Sequence, residues 1–235
     1  MNRIVGKDRP PLYSEALKAE KRLRIVKALA ELGGEASYSQ IEQLSKVKGN
    51  TLVHNLNALE LTYGVIEKPV KGTYRLRYKT PLSYIFAPKA SYPIVYLGLL
   101  GKRNKRTIPE TKVALELLEK EGIVPKLVYV TTSVEALEEW KDLKLPYQWI
   151  TAYEEQIADI DEVRKRVTPQ LEILLKDYVV ILDCTSATKP ATIAYYESAQ
   201  EFYTPLIYVY EPIKQLKWLI SKETMLRRLQ FSRQE

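Results

Sequence analysis

Residues 183–189 read "DCTSATK", at the exit of the apolar run "YVVIL" and ahead of "PATIAYYESAQEF". Thr185, Ser186 and Thr188 bring three hydroxyls to one short turn, and Lys189 brings a full positive charge. A helix starting here adds free backbone N–H groups and the positive end of its dipole. Hydroxyls, N–H donors and a cation on one turn suit an anion, most simply a phosphate. Asp183 has the wrong sign to touch a phosphate, so it is expected to cap or orient the loop. A lysine at a helix N-terminus is disfavoured by the dipole, which argues for an anion beside Lys189. A second stretch agrees. "GLLGKRNKRT" (98–107) follows another apolar run and carries Gly101, Lys102, Arg103, Lys105 and Arg106. Neither stretch is a standard nucleotide motif: "GLLGKR" is not G-x-G-x-x-G, and Arg103 stands where a P-loop needs Ser or Thr.

The surrounding pattern explains how these groups meet. Strand-like runs at 93–100, 126–132, 147–153, 178–185 and 205–211 alternate with helical stretches at 109–122, 132–140, 159–177 and 190–202. Thr132 and Glu135 are spaced as a capping box, and Pro169 falls inside the longest helix, where a kink is expected. Near-continuous apolar strands with helical crossovers predict a parallel, doubly wound, Rossmann-like α/β sheet. Ligands in such sheets bind beyond the carboxyl ends of the strands, where both stretches fall. The tail "PIKQLKWLISKETMLRRLQF" (212–231) has Ile213, Leu216, Ile220, Leu226 and Leu229 near helical spacing and is predicted as one helix, for the core or for a dimer.

The first third has a different grammar. A helix is predicted over 15–33, with a Gly33–Gly34 stop. A second spans 37–46, capped by Ser37 or Ser39, with Ile41 and Leu44 inward. A third spans 50–62, with Asn50 as N-cap and Leu52, Leu56 and Leu59 on one face. A hairpin follows at 65–79, then a proline-rich stretch read as a connection. The pattern "IVKALAELGG…SYSQIEQLS…NTLVHNLNALELTYGVIEK…GTYRLR" resembles the winged helix-turn-helix domains of bacterial and archaeal regulators. The resemblance implies that helix 50–62 reads DNA, with Asn50, Thr51, His54, Asn55 and Asn57 facing bases and phosphates. It also gives the wing residues Lys68, Lys71, Arg75 and Arg77 to backbone phosphates. Charge agrees: residues 1–90 hold 16 Lys+Arg against 8 Asp+Glu, and residues 91–235 hold 20 against 21. The basic excess belongs to the N-terminal third alone, as a polyanion partner such as double-stranded DNA requires.

Composition removes several classes. One cysteine excludes an internal disulfide, and one histidine argues against a His-based metal site or a Ser/His triad. No apolar run reaches membrane-span length and the start lacks a signal-peptide core, so a cytoplasmic protein without membrane contact is expected. The domains are predicted as 1–80, winged helix; 81–92, linker; and 93–235, Rossmann-like with a C-terminal helix.

The second part also resembles a known family. "DCTSATKPATIA" matches the signature of the CRISPR-associated Rossmann fold (CARF) sensor domain: Asp-x-Thr at a strand end, a small-residue turn, then Thr-Lys before a helix. Asp183, Thr185, Thr188 and Lys189 stand at its positions. The resemblance implies a homodimer binding cyclic oligoadenylate across its two-fold axis, through Gly101, Lys102, Arg103, Thr185, Ser186, Thr188 and Lys189. Two positions depart from the family: Ala187 replaces a frequent Gly, and Lys102 and Arg103 occupy the place where ring-cleaving members carry a small hydroxyl residue. The expectation is a cyclic-oligoadenylate-responsive transcription regulator of CRISPR antiviral defence, with no catalytic residue, cofactor or metal. Two alternatives stay open: a metal-independent ring nuclease, and a winged-helix protein-interaction scaffold.

Overall fold

The computed structural model describes residues 10–88 and 92–230. Of these, 10–88, 92, 175–177 and 222–230 form one compact unit, and 93–174 and 178–221 form a second.

The first unit opens with α1 (Tyr13–Leu17) and α2 (Glu20–Glu31). The single helix predicted over 15–33 is broken at Ala19, which is extended. Arg22 explains the break: its guanidinium donates to the freed Ala16 carbonyl (2.6 Å) and lies over the Tyr63 ring. Next come β1 (Glu35–Ser37), α3 (Tyr38–Ser45) and α4 (Gly49–Asn57), the last running on as a π-helical turn over Ala58–Thr62. Ser37 caps α3 in a reciprocal box with Gln40. Lys48, not Asn50, holds the cap position of α4 and makes no side-chain cap bond. Leu44 is exposed, and the buried partner of Ile41 is Ser45. Four residues on from Ile41 lies closer to one face than three, so Ser45 follows it inward.

β2 (Ile66–Glu67) and β3 (Thr73–Leu76) form the hairpin, and β1 completes an antiparallel sheet of order β1-β3-β2. Ile25, Val26 and Leu29 of α2, Ile41 of α3, and Leu52, Leu56 and Leu59 are all buried. The stretch predicted as a linker is not structureless. It forms α5 (Leu82–Phe86), with Leu82 to Ile85 buried against α2, and only residues 89–91 of the predicted 81–92 linker lie outside the described residues.

In the second unit the strands are β4 (Ile94–Leu100), β5 (Leu127–Ser133), β6 (Gln148–Ala152), β7 (Val179–Asp183), β8 (Leu206–Tyr210) and β9 (Gln215–Ile220). Their order is β6-β5-β4-β7-β8-β9, and every pairing is parallel except β8–β9. The helices between are α6 (Glu110–Lys120), α7 (Val134–Glu139), α8 (Glu154–Ile157), α9 (Ile160–Asp177) and α10 (Lys189–Glu201). This is the predicted Rossmann-like class. From β4 the chain winds outward through β5 and β6, then restarts on the other side of β4 with β7. The topological switch point therefore lies between β4 and β7.

Two local predictions are corrected, the cap of α7 and the tail. Ser133 caps α7 (Ala136 N–H to Ser133 Oγ, 3.0 Å), while Thr132 donates to the Leu100 carbonyl across the sheet. α9 runs as one element through Pro169. The tail is not one helix: it splits into β9 and α11 (Lys222–Gln230), and α11 belongs to the first unit. Leu216 pairs with Val209 and Trp218 with Ile207, and both pack on the core around Tyr96, Leu118 and Ile181. The alternation "QLKWLI" fits a strand as well as the 216/220 spacing fits a helix, and β8 supplies the edge that decides it.

Candidate anion-binding site

The site is a cavity of about 450 Å³ beyond the carboxyl ends of β4 and β7, with further walls from the ends of β5 and β8. Beneath it lies Asp183, the last residue of β7 and fully buried. The carboxylate accepts from the Thr185 N–H (2.8 Å), the Thr185 hydroxyl and the Tyr96 hydroxyl. Tyr96 reaches it by lying across Gly98, where a Cβ would stand 2.4 Å from the Tyr96 hydroxyl oxygen. Burial pushes the Asp183 carboxyl up to about 6 and outweighs the three hydrogen bonds that oppose it. Thr185 Oγ1 accepts in turn from the Val209 N–H (2.8 Å), which ties the loop to β8. Asp183 is thus a loop organiser below the cavity and not part of its lining.

The loop 184–188 closes on the loop after β4. Ser186 Oγ accepts from the Gly101 N–H (2.8 Å) and donates to Glu110 Oε2 at the start of α6. The Trp140 indole N–H holds the Gly101 carbonyl at 2.9 Å. Ala187 takes a left-handed φ of 71°, which brings its backbone over Gly101. A Cβ on Gly101 would lie 3.0 Å from the Ala187 nitrogen, so only glycine fits without a shift. Thr188 caps α10 through Ala191 N–H (3.2 Å) and donates to the Ile157 carbonyl (2.6 Å).

The predicted ligand residues separate into three groups. Gly101, Lys102, Thr185, Ser186 and Thr188 come together and line the cavity. Their hydroxyls, however, are already bonded within the protein, so they shape the loop as much as they offer donors. Arg103 turns away. Its backbone N–H meets Glu139 (2.7 Å), its guanidinium meets Asp142 (2.8 Å), and the group lies over Trp140. Lys189 is the exposed first residue of α10 and does not line the cavity. The helix offers fewer N–H groups than the sequence implied, because Pro190 has none and that of Ala191 is taken by Thr188.

Sequence reasoning missed much of the charge here. Asn104, Glu110, Ser133, Glu154, Tyr208 and Glu211 line the cavity, together with Arg106 of the predicted basic stretch. Lys102 is paired with Glu154 (2.5 Å), and Arg106 with Glu110 (2.9 Å) and Glu211 (3.2 Å). Burial raises the Glu110 carboxyl above its ordinary range, opposed by Ser186 and Arg106 and reinforced by Glu211. Ser133 ends β5 and Glu211 directly follows β8. The rule that strand exits line the crevice nominates both. Nothing local nominates Glu110 or Glu154, which begin helices. Among the described residues, no group of three or more His, Cys, Asp or Glu is placed to hold a metal ion, and no helix is long and apolar enough to cross a membrane.

In the first unit, Asn50, Thr51, His54 and Asn57 are exposed on or beside α4. Asn55 is a correction: it is buried, and its amide donates to the Thr51 carbonyl (2.7 Å) within the helix. It precedes Leu56 on the inward edge, and a short amide survives there by bonding back to the backbone. Lys68 and Lys71 are exposed on the hairpin, whereas Arg75 is half-buried and paired with Glu67 (2.8 Å), and Arg77 lies over the Tyr78 ring. Lys46 and Lys48, absent from the predicted set, are exposed in the turn before α4.

No protein-family model matches the chain, and no curated protein matches it. Solved structures similar to it include Can2 from Sulfobacillus thermosulfidooxidans in complex with cyclic tetra-adenylate (14% identity, TM-score 0.38, 55% of this chain and 35% of that one). Others are Enterococcus italicus Csm6 bound to cyclic hexa-2'-fluoro-hexa-dAMP (12%, 0.39, 60% and 39%) and protein VC1899 from Vibrio cholerae (11%, 0.39, 55% and 34%). The chain spans little more than a third of the length of each.

Proposed function

We propose that the second unit binds a cyclic oligoadenylate and the first binds double-stranded DNA, making a ligand-responsive transcription regulator of CRISPR defence that works as a homodimer. One observation carries the reading. The Asp183–Lys189 loop and the Gly101–Arg106 loop, far apart in sequence, meet at the switch point of a parallel sheet around one cavity. Its volume of about 450 Å³ lies within the roughly 300–1,000 Å³ usual for small-molecule sites. An even-numbered ring has its own two-fold axis, so two protomers can each hold half of it with the same residues. The order helix, helix, turn, helix, hairpin supports a winged helix in the first unit. The exposed polar face of α4, with Lys46, Lys48, Lys68 and Lys71 beside it or on the hairpin, supports a DNA partner.

Calorimetry with cyclic tetra- and hexa-adenylate tests the ligand, and DNA binding with and without saturating ligand tests the output. A ligand shifts DNA affinity only by its differential affinity for two states, and about 1–3 kcal/mol of coupling is usual. Equal DNA affinity in both conditions would refute the sensor reading. Affinity for neither ligand nor DNA would leave the protein-interaction scaffold.

Glu110 gives specific support to the runner-up. A ring nuclease acting by attack of a ribose 2′-hydroxyl needs a base, and Glu110 is a carboxylate in the cavity with a raised pKa. Incubating labelled rings with excess protein decides between the two. Multiple turnover that disappears in Glu110→Gln would make the nuclease the better description.

A further inference from the structure

Resting on the ligand-sensor reading, we propose that Glu110 is a ligand-binding residue that meets the ligand as a neutral carboxylic acid, so that binding takes up a proton at each site.

The charges lining the cavity are two cations, Lys102 and Arg106, against three carboxylates, Glu110, Glu154 and Glu211. An anion entering this cavity therefore has to displace ion pairs before it gains any. The three carboxylates differ in what they can do next. The side chains of Glu154 and Glu211 are 52% and 39% exposed, so each can keep its charge by turning to water. That of Glu110 is 8% exposed, and its Oε2 is held by the Ser186 hydroxyl. When a phosphodiester takes Arg106, Glu110 is left with no cation, little water and a new negative neighbour. Neutralisation is then cheaper than a buried, unpaired charge.

Three groups face Glu110: Arg106 from the β4–α6 loop, Ser186 from the β7–α10 loop and Glu211 beyond β8. Asp183 below is coupled to it electrostatically. Of these, Arg106 and Ser186 favour the charged form, and ligand removes Arg106. The proton comes from solvent and settles on Oε1, the oxygen that Arg106 vacates. Oε2 continues to accept from Ser186, while the new O–H donates to a non-bridging phosphate oxygen. A protonated Glu110 is no general base, so this state binds the ring without opening it.

The test is calorimetry at pH 7.5 and 8 in buffers of different ionisation enthalpy, using whichever of cyclic tetra- or hexa-adenylate binds. The buffer dependence of the heat counts protons. The unmodified protein is expected to take up a measurable fraction of one proton per site, and its affinity to fall toward tenfold per pH unit on the alkaline side. Glu110→Gln, neutral at every pH, is expected to abolish that uptake and to bind about tenfold tighter at pH 8. Binding without proton uptake by the unmodified protein overturns the inference and leaves the ligand reading standing. So does unchanged uptake in Glu110→Gln. No binding of either ring between pH 5.5 and 8.5 overturns the reading itself, and this inference with it.

Discussion

Replacing Asp183 by Asn separates charge from hydrogen bonding at a fully buried carboxylate of the sheet. The folded carboxyl is pushed up to about 6 from its ordinary 3.8. A group raised in this way binds its proton more tightly in the folded state. Its favourable contribution is complete below about pH 3.8 and is lost as pH rises through about 6. About two pKa units correspond to about 3 kcal/mol of stability lost between pH 3 and pH 8. Asn cannot ionise and so removes this loss. It also keeps an oxygen to accept the Thr185 N–H, now at 2.8 Å. Its amide N–H₂ faces the Tyr96 hydroxyl, which has to turn round, and that rearrangement costs about 1 kcal/mol. The two proteins should therefore cross near pH 4.5: Asp183→Asn less stable by about 1 kcal/mol near pH 3, and more stable by about 2 kcal/mol at pH 8. Urea unfolding followed by tryptophan fluorescence, at half-unit steps over this range, measures the difference directly. Trp140 and Trp149 report on the second unit, and the difference between the two proteins cancels carboxylates common to both. Parallel stability curves would refute the assignment of a buried, destabilising charge to Asp183.

Gly101→Ala should cost about 1–3 kcal/mol by the same urea assay, because the new Cβ meets backbone of Ala187 and not a movable side chain, and should weaken ligand binding as the two loops separate. Arg106→Ala should reduce ligand affinity in calorimetry more than Lys189→Ala, since Arg106 lines the cavity and Lys189 does not; the reverse order would place the anion at the α10 terminus instead. For DNA, Lys68→Ala and Lys71→Ala should each lower the slope of log affinity against log salt by roughly one, whereas Arg75→Ala should lower it less because Glu67 already holds that guanidinium. His54→Ala or Asn57→Ala should change sequence preference in a competition assay, while Asn55→Ala should mainly lower stability, its amide being turned into the helix.

Local periodicity and punctuation carried most of the architecture. The apolar runs of β4 and β7 are long enough, and flanked clearly enough, that no partner is needed to make them strands. The helix-opening Thr188 and Pro190, the small-residue turn before them and Asp183 at the strand end are all read within a few positions of one another. That locality is why the loop, its place at the sheet edge and the organising role of Asp183 were legible in advance. Where two periods fitted equally, sequence could not choose. Leu216, Trp218 and Ile220 became a strand because β8 presents an unpaired edge beside them. The stretch 82–86 became a helix because α2 gives Leu82 and Ile85 a face to bury.

What only the tertiary structure decided is where the long charged side chains go. Arg103 and Arg106 are three residues apart in one basic run, yet Arg103 is claimed by Glu139, Asp142 and Trp140, and Arg106 by Glu110 and Glu211. Asp142 and Glu211 lie 39 and 105 residues from the arginines they hold, and no local rule reaches that far. The same holds for Glu110, which reads in sequence as an ordinary acidic start to a helix. It becomes a buried carboxylate in a ligand cavity only because Ser186, 76 residues on, folds over it. Backbone conformation is set largely by neighbours in the chain, through sterics and the periodic burial of apolar faces. The electrostatics of a site are set by neighbours in space, through burial and pairing that exist only once the sheet has brought the strand ends together.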